Sequence, residues 1–328
     1  MQISPETQLF IREHQTDDVR ALALQARKYP NVDMPTAITQ IAGRQVAAEK
    51  IPSWRDTDDI WYPKHLSLEQ CSSEVTARYK ATLLKGNSLT DLTGGFGIDC
   101  AFLAARFKSA TYVERQQELC EIAAHNFPIL NLNHINVKNE DGVSYLQAMS
   151  PVDCIFLDPA RRNEHGGKTV AISDCEPDVA ELEELLLNKA GQVMVKLSPM
   201  LDLSLALKEL QHVQEVHIIS ANNECKELLL ILGQASVEEI SIHCVNLPTK
   251  GIQEEQHFVF TREQEQCSEC NYTNVLENYL YEPNASLLKA GAFRSIASAF
   301  PVKKLHPNSH LYTSDVLVES FPGRAFHI

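Results

Sequence analysis

No run in this chain approaches the roughly 18 to 20 consecutive apolar residues that a membrane-crossing helix needs. The opening MQISPETQLFIREHQ has no basic segment followed by an apolar one, so no secretion signal is read there. Positive charge is scarce: 29 Lys and Arg face 43 Asp and Glu, a net charge of −14. Binding to nucleic acid neutralises phosphates with Lys and Arg, so this balance excludes it unless the charges are segregated. From Pro283 onward Lys289, Arg294, Lys303, Lys304 and Arg324 stand against Asp315 and Glu319, and a local basic face is expected there. Paired metal-ligand cysteines are also lacking. Only Cys267 and Cys270 form a C-x-x-C pair, and a structural zinc takes four ligands, so no metal is expected. Nine cysteines without an export signal imply reduced thiols and a cytoplasmic protein. What remains is an ordinary soluble composition, 44% hydrophobic and 22% charged, in 328 residues, with room for two or three domains.

The first 85 residues read as helical. ETQLFIREHQTDDVRALALQARKYP carries apolar residues at helical spacing and stops at Pro30. MPTAITQIAGRQVAAEKIP places Ile38, Ile41, Ala42 and Val46 on one face and stops at Pro52. LSLEQCSSEVTARYKATLLKG offers Ser72 or Ser73 as an N-cap, with Val75, Tyr79 and Leu83 stacked one turn apart.

From Ser88 the pattern changes to short apolar runs between helical stretches: LTDLT, ATYVE, INVKN, DCIFLD, QVMVKLS, VHIIS and ELLLILG. The first five are separated by enough chain for crossover helices, as parallel strands require. Only ANNECK joins the last two, so they form an antiparallel hairpin. Two further strand-like runs, EISIHCVNL and HFVFT, precede the polar stretch REQEQCSECNYTN, which marks a domain boundary. The tail resumes with a capped helix in YLYEPNASLLKAGAFRSIASAFPVKKL and ends on the strand-like ESFPGRAFHI, which reads as a module lacking its closing element.

The run LTDLT opens DLTGGFGIDC, with three glycines between Asp91 and Asp99. A dinucleotide fingerprint would need a third glycine where Cys100 stands, and Asp99 in the first helical turn would oppose a diphosphate. A P-loop is excluded because the loop carries no G-K-[ST]. S-adenosylmethionine has no phosphate and carries a sulfonium and an ammonium, which carboxylates favour. Asp91 would hold the ammonium through the loop, while Gly95 and Gly97 let the backbone approach. Glu114, 19 residues after Gly95, ends the second run, where a carboxylate can chelate both ribose hydroxyls; NAD proteins do the same. Asp141 follows the third run and either accepts from the adenine amino group or caps a helix. The fourth run ends in FLDPARR. Asp158 leaves the sheet's carboxyl edge there and Pro159 fixes the backbone beside it. The turn is similar to the [D/N]-P-P-[Y/F] loop of amino-group methyltransferases, in which the acid holds the target amino group for displacement, with Arg161 here in place of the aromatic. Arg161 could grip a phosphate or stack on a base. Lys196 either reaches the same site from the fifth run or is a solvated strand end. C5 methylation needs a cysteine nucleophile; VKLSPMLD has none, and Cys225 in the hairpin is a weak substitute.

Together these residues resemble a class I S-adenosylmethionine-dependent methyltransferase. DLTGGFGIDCAFLA is similar to the D-x-T-x-G-x-G-x-D-x-F pattern of bacterial rRNA guanine-N2 methyltransferases, and D-P-A-R to the D-P-P-R of tRNA and rRNA methyltransferases. The whole chain resembles a bacterial methyltransferase family with THUMP-like C-terminal regions, through LSLEQCSSEVTARYKA, DLTGGFGID, DPARR, VKLSPMLD and YLYEPNASLLKAG. The resemblance implies an α/β fold. A helical domain (1–85) would precede a Rossmann-like parallel sheet with a terminal antiparallel hairpin (86–265) and a small ferredoxin-like module (275–328). It implies S-adenosylmethionine held by Asp91, Thr93, Gly95, Gly97, Asp99, Glu114 and Asp141, and catalysis by Asp158, Pro159 and Arg161. It also implies a tRNA or rRNA substrate, bound through the C-terminal region and methylated on a base nitrogen. The acidic charge instead suits a small-molecule or protein methyltransferase, and a catalytically silent cofactor-binding module is the third reading.

Overall fold

The structure is a computed structural model. It describes residues 3–161, 171–248 and 254–328, apart from the side chains of His65 and Arg161. The chain divides into two compact units, Met1–Leu157 and Asp158–Ile328.

In the first unit, α1 (Pro5–Glu13) starts where Ser4 accepts the Thr7 N–H. The long first helix read from the sequence is in fact two. Asp18 accepts the Arg20 and Ala21 N–H groups and starts a separate α2 (Val19–Leu24), followed by a 3-10 turn at Ala26–Lys28. Asp33 caps α3 (Met34–Lys50), whose Met34, Ala37 and Ile41 pack on Phe10 and Leu22. Of the expected face only Ile41 is fully buried, whereas Ile38, Ala42 and Val46 are half-buried. The face is rotated because Gln40 turns inward, exchanging hydrogen bonds of 2.9 and 2.8 Å with the Tyr62 C=O and N–H. Short helices α4 (Pro52–Arg55) and α5 (His65–Gln70) follow, then α6 (Glu74–Leu83), capped by Ser73.

The chain next alternates β1 (Ser88–Asp91), α7 (Ile98–Ala104), β2 (Ser109–Glu114), α8 (Gln117–Ile129), β3 (Ile135–Asn139), α9 (Gly142–Ala148) and β4 (Val152–Leu157). These four strands are parallel in the order β4-β1-β2-β3. Their register aligns Asp91 with Tyr112 and Phe156, and Glu114 with Asn139, so the acidic residues collect at one carboxyl edge. Trp54, Tyr62, Phe96, Tyr112 and Phe127 fill the core beneath.

The second unit begins with β5 (Ala160–Arg161), paired antiparallel to β6 (Cys175–Glu176). It continues with α10 (Val179–Lys189), β7 (Ala190–Leu197), α11 (Leu203–Glu209), β8 (Val213–Ala221), β9 (Glu224–Gly233), β10 (Ser241–Leu247), β11 (Gln256–Phe260) and α12 (Arg262–Cys267). The expected hairpin is β8–β9, turning through Asn222 and Asn223, both in left-handed conformation (φ 51° and 59°). The strand β9 also pairs antiparallel with β7, while β10 joins β8 in parallel and carries β11 on its far side. The tail forms β12 (Tyr279–Pro283), α13 (Ala285–Ala290), α14 (Phe293–Ala299), β13 (Lys303–Lys304), β14 (Tyr312–Ser314) and β15 (Gly323–His327). Its sheet has the order β13-β14-β12-β15 around the buried Tyr281 and Tyr312.

Among the described residues no helix is long and apolar enough to cross a membrane, and all nine cysteines are free thiols. Gly323 fixes the β12–β15 pairing, since a Cβ there would lie 2.1 Å from the Glu282 carbonyl oxygen and 2.9 Å from the Pro283 Cα. Both neighbours are backbone and cannot swing aside. Gly323→Ala is therefore expected to destabilise by about 1–3 kcal/mol. Urea denaturation measures it, and an unchanged midpoint would contradict the packing.

Candidate active site

The loop after β1 is shaped by hydrogen bonds on both flanks. The Asp91 carboxylate, buried at the strand end, accepts the Thr93 N–H at 3.0 Å and closes the turn. Gly94 has no room for a side chain, because a Cβ would fall 2.2 Å from the Tyr112 ring. Gly95 is left-handed (φ 55°). It donates its N–H to Glu114 at 2.9 Å and accepts the Tyr112 hydroxyl at 2.5 Å. Burial, reinforced by the Glu114 charge, pushes that hydroxyl's pKa well above its ordinary value, so it remains a donor. Gly97 (φ 89°) starts α7.

The two glycines that the sequence assigns to cofactor approach differ. A Cβ at Gly95 would meet nothing nearer than 3.8 Å, so this residue faces open space. A Cβ at Gly97 would sit 3.0 Å from the Phe127 ring. Gly97 thus serves the helix start and core packing.

Glu114 uses one carboxylate oxygen for the Gly95 N–H and the other for the Gln116 N–H at 2.8 Å, which fixes its plane beside the loop. Asp141 caps α9 through a single oxygen, accepting from Val143 and Ser144. A Cβ on its neighbour Gly142 would lie 2.3 Å from the Leu92 carbonyl oxygen. The Asp141 turn therefore rests on the backbone of the glycine loop. Asp91 and Glu114 lie at the carboxyl ends of β1 and β2, with half-buried Thr93 and Gly95 in the loop after β1 and Asp141 after β3.

Asp99 does not belong with them. Its carboxylate lies 2.9 Å from the Nζ of Lys80, which is fully buried. Lys80 donates to the Ser72 hydroxyl at 2.7 Å, and Ser72 donates to the second Asp99 oxygen at 2.7 Å. The triangle neutralises Asp99 and fastens α7 to α6. The charge argument against a diphosphate therefore lapses at Asp99, and the case against a dinucleotide loop rests on packing: Cys100 is fully buried where such a loop needs glycine. The sequence does not mark Lys80, because the apolar stripe Val75, Tyr79 and Leu83 reads as the inner face although these residues are only half-buried. The small residues Thr76, Ala77 and Ala81, all buried, were the overlooked signal.

In the second unit Asp158, the next residue in the chain after β4, forms an ion pair with Lys196 of β7. The Lys196 side chain is only 11% exposed, which decides against a solvated strand end. Pro159 is buried, and the Arg161 backbone pairs with Cys175, although its side chain lies outside the described residues. Burial raises the Cys225 thiol to about 11, the wrong direction for a nucleophile. The basic face expected in the tail is largely spent internally. Lys304 is buried, donates to the Pro307 carbonyl at 2.8 Å and lies over the Phe293 ring. Lys303 pairs with Glu277, Arg324 with Glu282, and Lys289 donates to the Leu201 carbonyl.

A family model for protein-L-isoaspartate(D-aspartate) O-methyltransferase matches residues 49–163, and a ferredoxin-like domain model matches residues 279–322. A crystal structure described as a "putative methyltransferase" from Porphyromonas gingivalis W83 is 36% identical with a TM-score of 0.86, covering 98% of this chain and 80% of that one. The chain belongs to the same class I methyltransferase family. An rRNA methylase from Streptococcus thermophilus (14% identity, TM-score 0.37) covers 49% of this chain and 96% of its own. A methyltransferase from Streptococcus mutans, likewise called putative and in complex with SAH, matches over the same shares at 14% identity and a TM-score of 0.36. Neither of these two likenesses carries weight beyond the first. Comparison with curated proteins gives no match. For this methyltransferase, Lys80→Met is expected to lose about 3–5 kcal/mol of stability in urea, because it strands Asp99, while Lys80→Met/Asp99→Leu recovers much of it. A loss below about 1 kcal/mol for Lys80→Met, as an exposed pair gives, would contradict the buried triangle.

Proposed function

We propose that this methyltransferase uses S-adenosylmethionine to methylate a nitrogen of an RNA base. The observation that supports the cofactor is that Glu114 holds Gly95, whose missing side chain leaves open space, while Asp91 and Asp141 stand at the ends of the neighbouring strands β1 and β3. These residues fit the group: carboxylates suit an ammonium, a ribose diol and an adenine amino group, and no phosphate cradle is present in the loop. Asp91 would hold the methionine ammonium, Glu114 the ribose hydroxyls and Asp141 the adenine amino group. The cofactor, when bound, supplies an electrophilic methyl on its sulfonium.

The chain's own contribution is placement. Asp158 accepts an N–H of the target amino group and turns its lone pair, with Pro159 limiting the backbone and Lys196 fixing the carboxylate's direction. The RNA reading draws on the family resemblance and on the ferredoxin-like sheet. There Phe326 of β15 is exposed, with the Arg324 guanidinium 5.8 Å from its ring centroid, a surface suited to stacking a base. The net charge of −14 and the match to a protein O-methyltransferase model over residues 49–163 favour a protein substrate as the second reading.

Nucleoside mass spectrometry of total RNA from a deletion strain and its parent separates the two readings. One methylated nucleoside missing in the deletion strain supports RNA, and no change turns the proposal to protein. With RNA from that strain as acceptor, Asp158→Ala is expected to keep cofactor affinity within a few-fold while losing about 100-fold or more in turnover, the scale of a misplaced reactant. Lys196→Met should lower turnover in the same direction. Equal losses of binding and rate would make Asp158 a cofactor or folding residue instead.

A further inference from the structure

A cluster of histidines lies on β8, β10 and β11. Along β8, Glu215 and His217 are two residues apart and share a face. The parallel register sets His243 of β10 directly beside His217. The His217 Nε2 is 3.1 Å from a Glu215 oxygen, and one potential ligand atom from each of Glu215, His217 and His243 lies within 4.8 Å of the others. His257 of β11 stands alongside, its Nε2 3.3 Å from the His243 Nδ1. We propose that Glu215, His217 and His243 bind a late first-row divalent metal ion such as zinc or cobalt, contrary to the metal-free expectation from sequence.

The donor set of two imidazoles and a carboxylate is one that zinc accepts with three protein ligands and an exchangeable water. His217 is almost wholly buried, and burial pushes its pKa down to about 4, so its ring is neutral at neutral pH. Burial lowers His243 in the same direction. The geometry needs one adjustment. The His217 and His243 rings are stacked, with centroids 4.4 Å apart and planes 17° from parallel, so their lone pairs run side by side. Convergence on one ion needs a ring to rotate about its Cβ–Cγ bond, a broad torsion, and for His243 this gives up its stacking on His217 and His257 and its Nδ1 contact with His257. Half-buried His243 is the ring able to turn. Glu215, with its side chain 48% exposed, leaves the site open to entry from solvent. The ion would add a second side-chain link between β8 and β10, beside the hydrogen bond from the Ser220 hydroxyl to the Asn246 side-chain oxygen.

The test uses the tag-free full chain, stripped with a chelator and titrated with Zn²⁺ and with Co²⁺. One ion per chain is expected, with the intense visible bands of four-coordinate cobalt and a raised melting temperature. Glu215→Gln and His243→Ala should each weaken binding about 10-fold or more while far-ultraviolet circular dichroism is unchanged. Neither change requires cutting into the core, which a substitution of His217 would. Cys267→Ser/Cys270→Ser should bind as the parent does. Failure of the stripped parent to bind either ion overturns the proposal. So does loss of binding in the cysteine variant with retention in His243→Ala.

Discussion

A lysine ammonium with no exposure to water is the constraint on which the glycine loop depends. Burying Lys80 costs several kcal/mol unless its charge and protons are matched, and Asp99 with Ser72 supplies that match. The pairing requires α6 and α7 to stay in contact, and α7 begins at Gly97. The far end of the loop is thereby fixed to α6. A side chain outside the proposed cofactor site thus sets where the glycine loop ends.

From that fixed end the loop is held at its middle by neighbours on β2. The Tyr112 hydroxyl and the Glu114 carboxylate take the Gly95 C=O and N–H, so the residue proposed to read the ribose also shapes the turn proposed to receive the methionine. Asp141 joins through Gly142, whose close approach to Leu92 leaves no room for a side chain. The three carboxylates form one unit because backbone groups tie them together. Disturbing any one of them is expected to move the others.

Much of this was legible in the sequence. Asp91, Glu114 and Asp158 end or follow apolar runs separated by crossover lengths, and the ANNECK turn permits only a hairpin. Strand ends and glycine spacing report on local geometry, which a single sequence carries. Other features depended on which surfaces meet. The Asp18 cap that splits the first helix looks like a solvated carboxylate until its N–H partners are seen. Lys304 reads as part of a basic face, and nothing local marks Lys80 as buried, because a lysine is buried only when partners arrive through the fold: Asp99 for Lys80, the Pro307 carbonyl and the Phe293 ring for Lys304. His217 and His243 are neighbours through the β8–β10 register alone, which no local pattern encodes.

The central claim is that open space at Gly95, edged by carboxylates, receives S-adenosylmethionine. Calorimetric titration of the full chain with S-adenosylhomocysteine tests it most directly when repeated on Gly95→Asn, because asparagine tolerates the left-handed backbone yet projects a side chain into that space. The expected result is binding by the parent, no binding by Gly95→Asn, and unchanged circular dichroism. Undiminished binding by Gly95→Asn, or tight binding of NAD in place of S-adenosylhomocysteine, would contradict it.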